Sequence, residues 1–151
     1  MNKIESLYKD NPEIEAFARG YVDHLRDLLI QLDVSSIALF TKTLLSARDR
    51  GARIFFIGNG GSAATASHFA NDIAIGSKSW HKPFRALSLA DNIPLLTAIA
   101  NDDGYEEIFI RQLRVQMIPG DVVVAISASG NSPNVVQAIE YANANGAITV
   151  S

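Results

Sequence analysis

Two turns rich in glycine and serine carry the residue types that bind phosphate. The first runs from Gly58 to Ala63 and the second from Ser127 to Asn134, and each lies between an apolar run and a stretch with helical spacing. Glycines allow the backbone to approach an anion closely, and unpaired amides at a helix start point toward it. We expect the amides of residues 61–63 to face such an anion. A tight turn without a ligand is the alternative.

The second turn places three hydroxyls, from Ser127, Ser129 and Ser132, around Gly130 and directly before Pro133. Proline suits the first position of a helix, so the hydroxyls would form a cradle for a small phosphate at a helix start. An ordinary serine N-cap is the alternative. Because both turns follow predicted strands of one parallel sheet, they can converge on one ligand at its carboxyl edge.

The first turn also matches the G-x-G-x-x-A spacing of a dinucleotide fingerprint. That fingerprint requires an acidic residue about 20 residues after the glycines, and Asp91 lies further along the chain. A dinucleotide site would also leave the second turn unexplained, so we rank it last. Neither turn continues into Gly-Lys-Ser or Gly-Lys-Thr, which excludes a Walker A loop.

His68 and Asp72 are four residues apart, which places them on one face of a predicted helix. Imidazole and carboxylate at this spacing suit a metal ion or a proton relay. A hydrogen-bonded pair at the surface is the alternative. A second polar segment, from Asn101 to Gly104, consists of residues that form turns, and it is either a simple turn or a rim loop that closes over a ligand.

Composition narrows the class of protein. The chain has 151 residues, of which 48% are hydrophobic, with a formal net charge of −3 and no cysteine. These values describe a globular domain without disulfides, a thiolate nucleophile or cysteine-bound zinc. The basic residues are scattered, so we expect no direct nucleic-acid binding. No apolar run approaches the ~18 residues of a membrane span, and we expect a cytoplasmic protein.

Strands and helices are predicted to alternate along most of the chain, which indicates a mostly parallel sheet covered by helices on both faces. The apolar runs predict strands over 53–58, 84–89, 122–126 and 148–151, and helical spacing predicts helices over 62–75, 93–100, 105–117 and 133–145.

Two amphipathic helices are predicted before the first strand, over about residues 12–50. We expect Asn11 to be the N-cap of the first one and Pro12 its first helical residue. Their apolar stripes suit either a lid on the sheet or an oligomer contact. The chain stops within its last predicted strand, which is typical of either a fragment or a naturally short form.

Four ordered segments of the chain together resemble the sugar isomerase (SIS) domain. They are Ile54–Ser62, Ser67–Asp72, Ile99–Tyr105 and Ile126–Ser132. More closely, they resemble the phosphoheptose isomerases. The resemblance covers residues 1–151 as a single SIS domain, with N-terminal helices over about 12–50 and an α/β core over about 53–151. The family's C-terminal strand and helix are expected to be missing.

The resemblance implies a flavodoxin-like three-layer α/β/α sandwich with an N-terminal helical extension, assembled as a homotetramer. It also implies site residues. His68 would be a zinc ligand, and Asp72 stands where the family has a glutamate that binds the metal and acts as general base. The matching positions for substrate contact are Asn59, Gly60, Gly61, Ser62, Asn101 and Asp102, and those for phosphate are Ser127, Ala128, Ser129 and Ser132.

The function implied is the isomerisation of sedoheptulose 7-phosphate to a heptose 7-phosphate, a sugar used in lipopolysaccharide or capsule. Such a reaction moves a proton between adjacent carbons through an enediol and needs a base and a group that stabilises the oxyanion. The family completes its zinc site with a glutamine and a histidine on a C-terminal helix. A second hypothesis is a binding module of the same fold that senses a sugar phosphate or docks a partner, like the related DnaA initiator-associating protein.

Overall fold

The computed structural model describes residues 3–151, which divide into two compact units that meet in sequence between Leu39 and Phe40. The first unit contains α1 (Lys3–Asp10) and α2 (Ile14–Ile30). A third helix, α3 (Val34–Arg50), begins in the first unit and continues into the second.

Helix α1 was not predicted, and the expected start of α2 was wrong. The backbone N–H and the side-chain amide of Asn11 both donate to the Leu7 carbonyl at 3.1 Å, so Asn11 closes α1 instead of capping α2. The residue that precedes α2 is Glu13, and Pro12 lies in the link between the helices.

The two N-terminal helices pack through small and aromatic residues. A Cβ on Gly20 would lie 3.2 Å from Leu7, so the two helices approach closely at this glycine. The rings of Tyr8 and Phe17 meet edge to face, with centroids 5.6 Å apart. Even so, α2 buries none of its own side chains. Its exposed apolar residues include Val22, Leu25, Leu28 and Leu29.

The second unit is built on a four-stranded sheet in the order β2-β1-β3-β4, with every neighbouring pair parallel. The strands are β1 (Arg53–Gly58), β2 (Arg85–Ser88), β3 (Val122–Ile126) and β4 (Ile148–Val150). The helices that alternate with them are α4 (Gly61–Asn71), α5 (Ile93–Asp102), α6 (Ile110–Gln116) and α7 (Pro133–Ala144). The order is flavodoxin-like, as predicted.

Alternate residues of the central strands β1 and β3 pack in two different cores, one on each face of the sheet. The fold therefore has three layers. Ile54 and Phe56 of β1 pack with α3 and α4, whereas Phe55 and Ile57 pack with α6 and α7. All four side chains are fully buried. A central strand covered on both faces has to be apolar throughout, which explains the continuous run in the sequence.

Two predicted helices are interrupted in the structure. The helix expected over 62–75 becomes a π-helical turn at Asp72–Gly76, and the one expected over 105–117 is a 3₁₀ turn at Tyr105–Glu107 followed by α6.

Among the described residues, no single helix is long and apolar enough to cross a bilayer. The bent pair α2 and α3 meets that length and composition only when the two helices are taken together.

Candidate functional site

The two predicted phosphate turns begin side by side at the carboxyl edge of the sheet. Strand β1 ends at Gly58 and β3 ends at Ile126, and these two residues are partners in the parallel register. The turn that follows β1 leads into α4, and the one that follows β3 leads into α7. The sheet register therefore brings together segments almost 70 residues apart in sequence.

Gly58 and Gly60 give the first turn its shape. A Cβ on Gly58 would lie 2.8 Å from the Ile126 carbonyl oxygen and 2.8 Å from backbone atoms of Ser62, so only glycine fits. Gly60 has a φ of 53° and precedes α4, a conformation that favours glycine.

The expectation for the amides of residues 61–63 was partly wrong. The N–H of Ser62 donates to the Asn59 carbonyl at 2.9 Å, and the N–H of Ala63 donates to the Gly60 carbonyl at 3.0 Å. These two amides close the turn itself and are not directed to a ligand. The reason is the tight entry into α4, which folds its first amides back onto the residues of the turn.

The second turn keeps its three hydroxyls available as donors. The Oγ of Ser127 accepts the Gly130 N–H at 3.2 Å, and the Oγ of Ser129 accepts the Asn131 N–H at 3.3 Å. A hydroxyl that accepts through its oxygen still has its own hydrogen to donate. Ser132 precedes α7, but its side chain makes no capping hydrogen bond. The loop therefore presents three O–H groups at a helix start, an arrangement that suits an anion.

An asparagine pair that the sequence did not reveal joins the two turns. The Nδ2 of Asn59 donates to the Oδ1 of Asn134 at 2.8 Å, and the Nδ2 of Asn134 donates to the Oδ1 of Asn59 at 2.9 Å. The hydroxyl of Tyr105 donates to the same Asn59 oxygen at 3.1 Å. A cleft of about 490 Å³ opens beside them, and Ser132 and Gln137 also line it.

Asn101 and Asp102 lie at the end of α5, exposed at the surface. The side-chain amide of Asn101 donates to the Asp102 carboxylate at 2.7 Å. The segment after them is anchored, because Arg111 of α6 lies 3.0 Å from the carboxylate of Asp103. Tyr105 continues the same segment toward Asn59, so the rim of the cleft includes this segment.

His68 lies in α4 and Asp72 begins the π-helical turn that follows it, with Nε2 of the imidazole 3.3 Å from the carboxylate Oδ2. Both are exposed, at 76% and 59%. They lie at an apolar groove of about 430 Å³, which is also lined by Phe40, Leu44, Phe69, Ile73 and Phe84. This groove and the cleft at Asn59 share no lining residue. The His–Asp pair therefore lines a different cavity from Asn59 and Ser132.

A zinc site is not complete within residues 3–151. Imidazole nitrogen and carboxylate oxygen are donors that zinc accepts, but zinc sites in proteins have at least three protein ligands. Among the described residues, no three His, Cys, Asp or Glu side chains are placed so that they could hold one metal ion. The pair alone therefore does not fit a zinc ion.

A further polar cluster at the carboxyl end of β2 was also missed. The hydroxyl of Ser67 contacts the carboxylate of Asp91 and lies 3.4 Å from the hydroxyl of Ser88, which in turn accepts the Ala90 N–H at 3.1 Å. These bonds fix the segment after β2 against α4. Residues 21 and 24 positions apart give no periodic signal, so the sequence could not have revealed the cluster.

Comparison with known proteins identifies the family. Residues 20–151 match the model of the SIS domain family. The phosphoheptose isomerase of Aquifex aeolicus is 33% identical over 152 residues, covering 100% of this chain and 73% of that protein. The phosphoheptose isomerase of Solidesulfovibrio magneticus is 44% identical over 135 residues, covering 89% of this chain and 62% of that protein. The chain is thus shorter than these relatives.

Solved structures agree with this assignment. The phosphoheptose isomerase of Neisseria gonorrhoeae superposes with a TM-score of 0.78 at 31% identity, covering 89% of this chain and 71% of that chain. The phosphoheptose isomerase of Francisella tularensis gives a TM-score of 0.80 at 23% identity, covering 99% of this chain and 74% of that chain, and supports the fold alone. The chain belongs to the SIS domain family and, within it, to the phosphoheptose isomerases.

Proposed function

We propose that this protein interconverts sedoheptulose 7-phosphate and D-glycero-D-manno-heptose 7-phosphate through an enediol. The observation that carries the proposal is the pairing of the two ligand turns at Gly58 and Ile126, with three serine hydroxyls free to donate beside it. Membership of the phosphoheptose isomerases supplies the substrate class.

The loop after β3 binds the phosphate in this proposal. Ser127, Ser129 and Ser132 donate hydroxyl hydrogens to the phosphate oxygens, and Ala128 contributes backbone within the same loop. Binding energy from the phosphate, which does not react, holds the sugar in register for the proton transfer. The residues proposed to contact the sugar are Asn59, Gly60, Gly61, Ser62, Asn101 and Asp102.

The proton transfer is assigned to Asp72. Its carboxylate removes a proton from C1 of the ketose, and the C–H electron pair forms the C1=C2 bond of the enediol as the C2 oxygen takes up a proton. Return of a proton to C2, with loss of the proton on the C1 oxygen, gives the aldose, so the overall composition is unchanged. His68, 3.3 Å from the carboxylate, orients it and can share its proton.

Zinc on His68 and Asp72 remains a prediction. It would require further ligands from outside the described residues, because the pair supplies only two. No step of the proton transfer described above depends on it.

The test is a turnover assay with sedoheptulose 7-phosphate on the natural gene product, with zinc content measured by elemental analysis on the same sample. Turnover is the expected result, and stoichiometric zinc would show that the protein also binds the metal. A folded protein that shows no turnover when supplied with zinc would overturn the proposal.

A non-catalytic sugar-phosphate-binding or initiator-associating protein is the second candidate. The observation in its favour is Asp72, whose side chain is one methylene shorter than the glutamate expected from the resemblance. This candidate predicts that sedoheptulose 7-phosphate binds without turnover.

A homotetramer, a cytoplasmic location and the lack of direct nucleic-acid binding also remain predictions. The exposed apolar residues of α2 support the homotetramer.

A further inference from the structure

The side chain of Asn59 has almost no hydrogen-bonding capacity left for a ligand. Its Oδ1 accepts both the Asn134 amide at 2.9 Å and the Tyr105 hydroxyl at 3.1 Å, and its Nδ2 donates to Asn134 at 2.8 Å. A carbonyl oxygen has two lone pairs and an amide nitrogen two hydrogens. One N–H of Asn59 therefore remains, which suits an acceptor oxygen such as that of a phosphate or a carbonyl group.

The three residues of this cluster come from three different segments of the chain. Asn59 is in the turn after β1, Tyr105 is in the segment between α5 and α6, and Asn134 is in the first turn of α7. Asn134 is 2% exposed, so its amide is held in a fixed environment, whereas Tyr105 is 58% exposed. A buried amide that keeps both of its hydrogen bonds is rigid, since losing one leaves an unsatisfied polar group.

We propose that Tyr105 and Asn134 are positioning residues that act through Asn59. They fix the orientation of its amide and the spacing of the glycine turn, the rim segment and the phosphate loop before substrate arrives. Preorganised groups lose less entropy on binding, so the benefit is a higher affinity for the sugar phosphate. This inference rests on the proposed function, because it assigns both residues to the same substrate site.

A double-mutant cycle separates positioning from direct contact. The dissociation constant for sedoheptulose 7-phosphate is measured by calorimetry for the wild type, Tyr105→Phe, Asn59→Ala and the double variant, with kcat and KM beside it. Tyr105→Phe removes only a hydroxyl, and we expect a dissociation constant about three- to tenfold higher, the range for one lost neutral hydrogen bond. In the Asn59→Ala background, the same change has no further effect.

Two outcomes would overturn the inference. If Tyr105→Phe changes the dissociation constant less than twofold, the hydroxyl has no positioning role. If its effect is equally large in the Asn59→Ala background, Tyr105 contacts the substrate directly. Tyr8→Phe in α1 is the matched control, with affinity and melting temperature expected to stay unchanged.

Asn134→Ala tests the other partner, with a larger expected loss of affinity because it removes two of the three hydrogen bonds of the Asn59 amide and leaves its Nδ2 without a partner. Should this variant fail to fold, Tyr105→Phe still decides the question. A wild type that neither binds nor converts the substrate would overturn both the proposed function and this inference. A wild type that binds, together with a cycle without coupling, overturns the inference alone.

Discussion

Gly58 and Ile126 lie so close at the ends of β1 and β3 that a Cβ on the glycine would be 2.8 Å from the Ile126 carbonyl oxygen. The same Cβ would be 2.8 Å from the carbonyl group of Ser62 in α4. Backbone atoms on both sides cannot move away independently, because one belongs to the sheet and the other to a helix. The proposed site depends on this contact, since both turns rich in glycine and serine start here.

Gly58→Ala is therefore expected to destabilise the protein by about 1 to 3 kcal/mol, as overpacking does in well-packed regions. The measurement is the free energy of unfolding in urea. Gly61→Ala is the matched control, because a Cβ there meets no atom within 4 Å. Equal stability of the two variants would show that the turn can widen without cost.

Asp121 is a buried acceptor for two backbone amides. Its Oδ1 accepts the N–H of Arg53 at 2.8 Å and its Oδ2 accepts the N–H of Ile118 at 3.0 Å, with 1% of the residue exposed. Asp121→Asn replaces one acceptor by a donor that faces an N–H, and we expect a loss of about 1 to 3 kcal/mol. Urea unfolding checks this, with the exposed Asp27→Asn as control. A loss no larger than that of the control would contradict the assignment.

The start of α3 is expected to respond to acid. Asp33 has a pKa lowered from 3.8 to about 2, first by the Ser35 hydroxyl and then by that of Ser36, each bonded to its carboxylate at 2.6 Å. Because the folded-state pKa is depressed, the stabilisation is present above pH 3.8 and disappears as the pH falls toward 2.

NMR titration of the Asp33 carboxyl measures this pKa directly. Ser35→Ala should raise it toward 3.8, since it removes the largest contribution. Ser6→Ala, whose hydroxyl lies 3.5 Å from Asp10 in α1, should leave it unchanged. An Asp33 pKa near 3.8 in the unmodified protein would disprove the helix-start interaction.

Asp72 is the residue on which turnover should depend most. Asp72→Asn keeps the shape of the side chain but cannot accept the proton, so we expect kcat to fall by about 100-fold or more. Asp72→Glu restores the carboxylate expected from the family resemblance and should retain turnover. Turnover of both variants is measured with sedoheptulose 7-phosphate, and phosphate binding by the loop after β3 should be unaffected. Full activity of Asp72→Asn would assign the base elsewhere.

Two serines of the phosphate loop should separate affinity from stability. Ser132 makes no side-chain capping bond, so Ser132→Ala should cost less than about 0.5 kcal/mol of stability, compared with ~1 for a true cap. The Oγ of Ser129 accepts the Asn131 N–H, so Ser129→Ala should also loosen the loop. Both variants should weaken substrate binding in calorimetry. Unchanged affinity in both would place the phosphate elsewhere.

The sequence by itself was sufficient for the α/β class and for the positions of the two turns rich in glycine and serine. Strands β1 and β3 are covered on both faces, so their residues are apolar without interruption, and such runs are visible in any sequence. Glycine and serine after each run then mark where the chain must turn at the carboxyl edge. These are local signals, because neighbouring residues alone determine them.

The tertiary structure decided which of these residues act together. Asn59 bonds to a residue 75 positions away and to another 46 positions away, and Asp121 bonds to Arg53, 68 positions away. No periodicity links such positions, because their contact depends on the parallel register of β1 and β3. The start of α2 was also decided by the structure, because the sequence allows Asn11 to cap either neighbouring helix and both of its amides bond to Leu7 of α1.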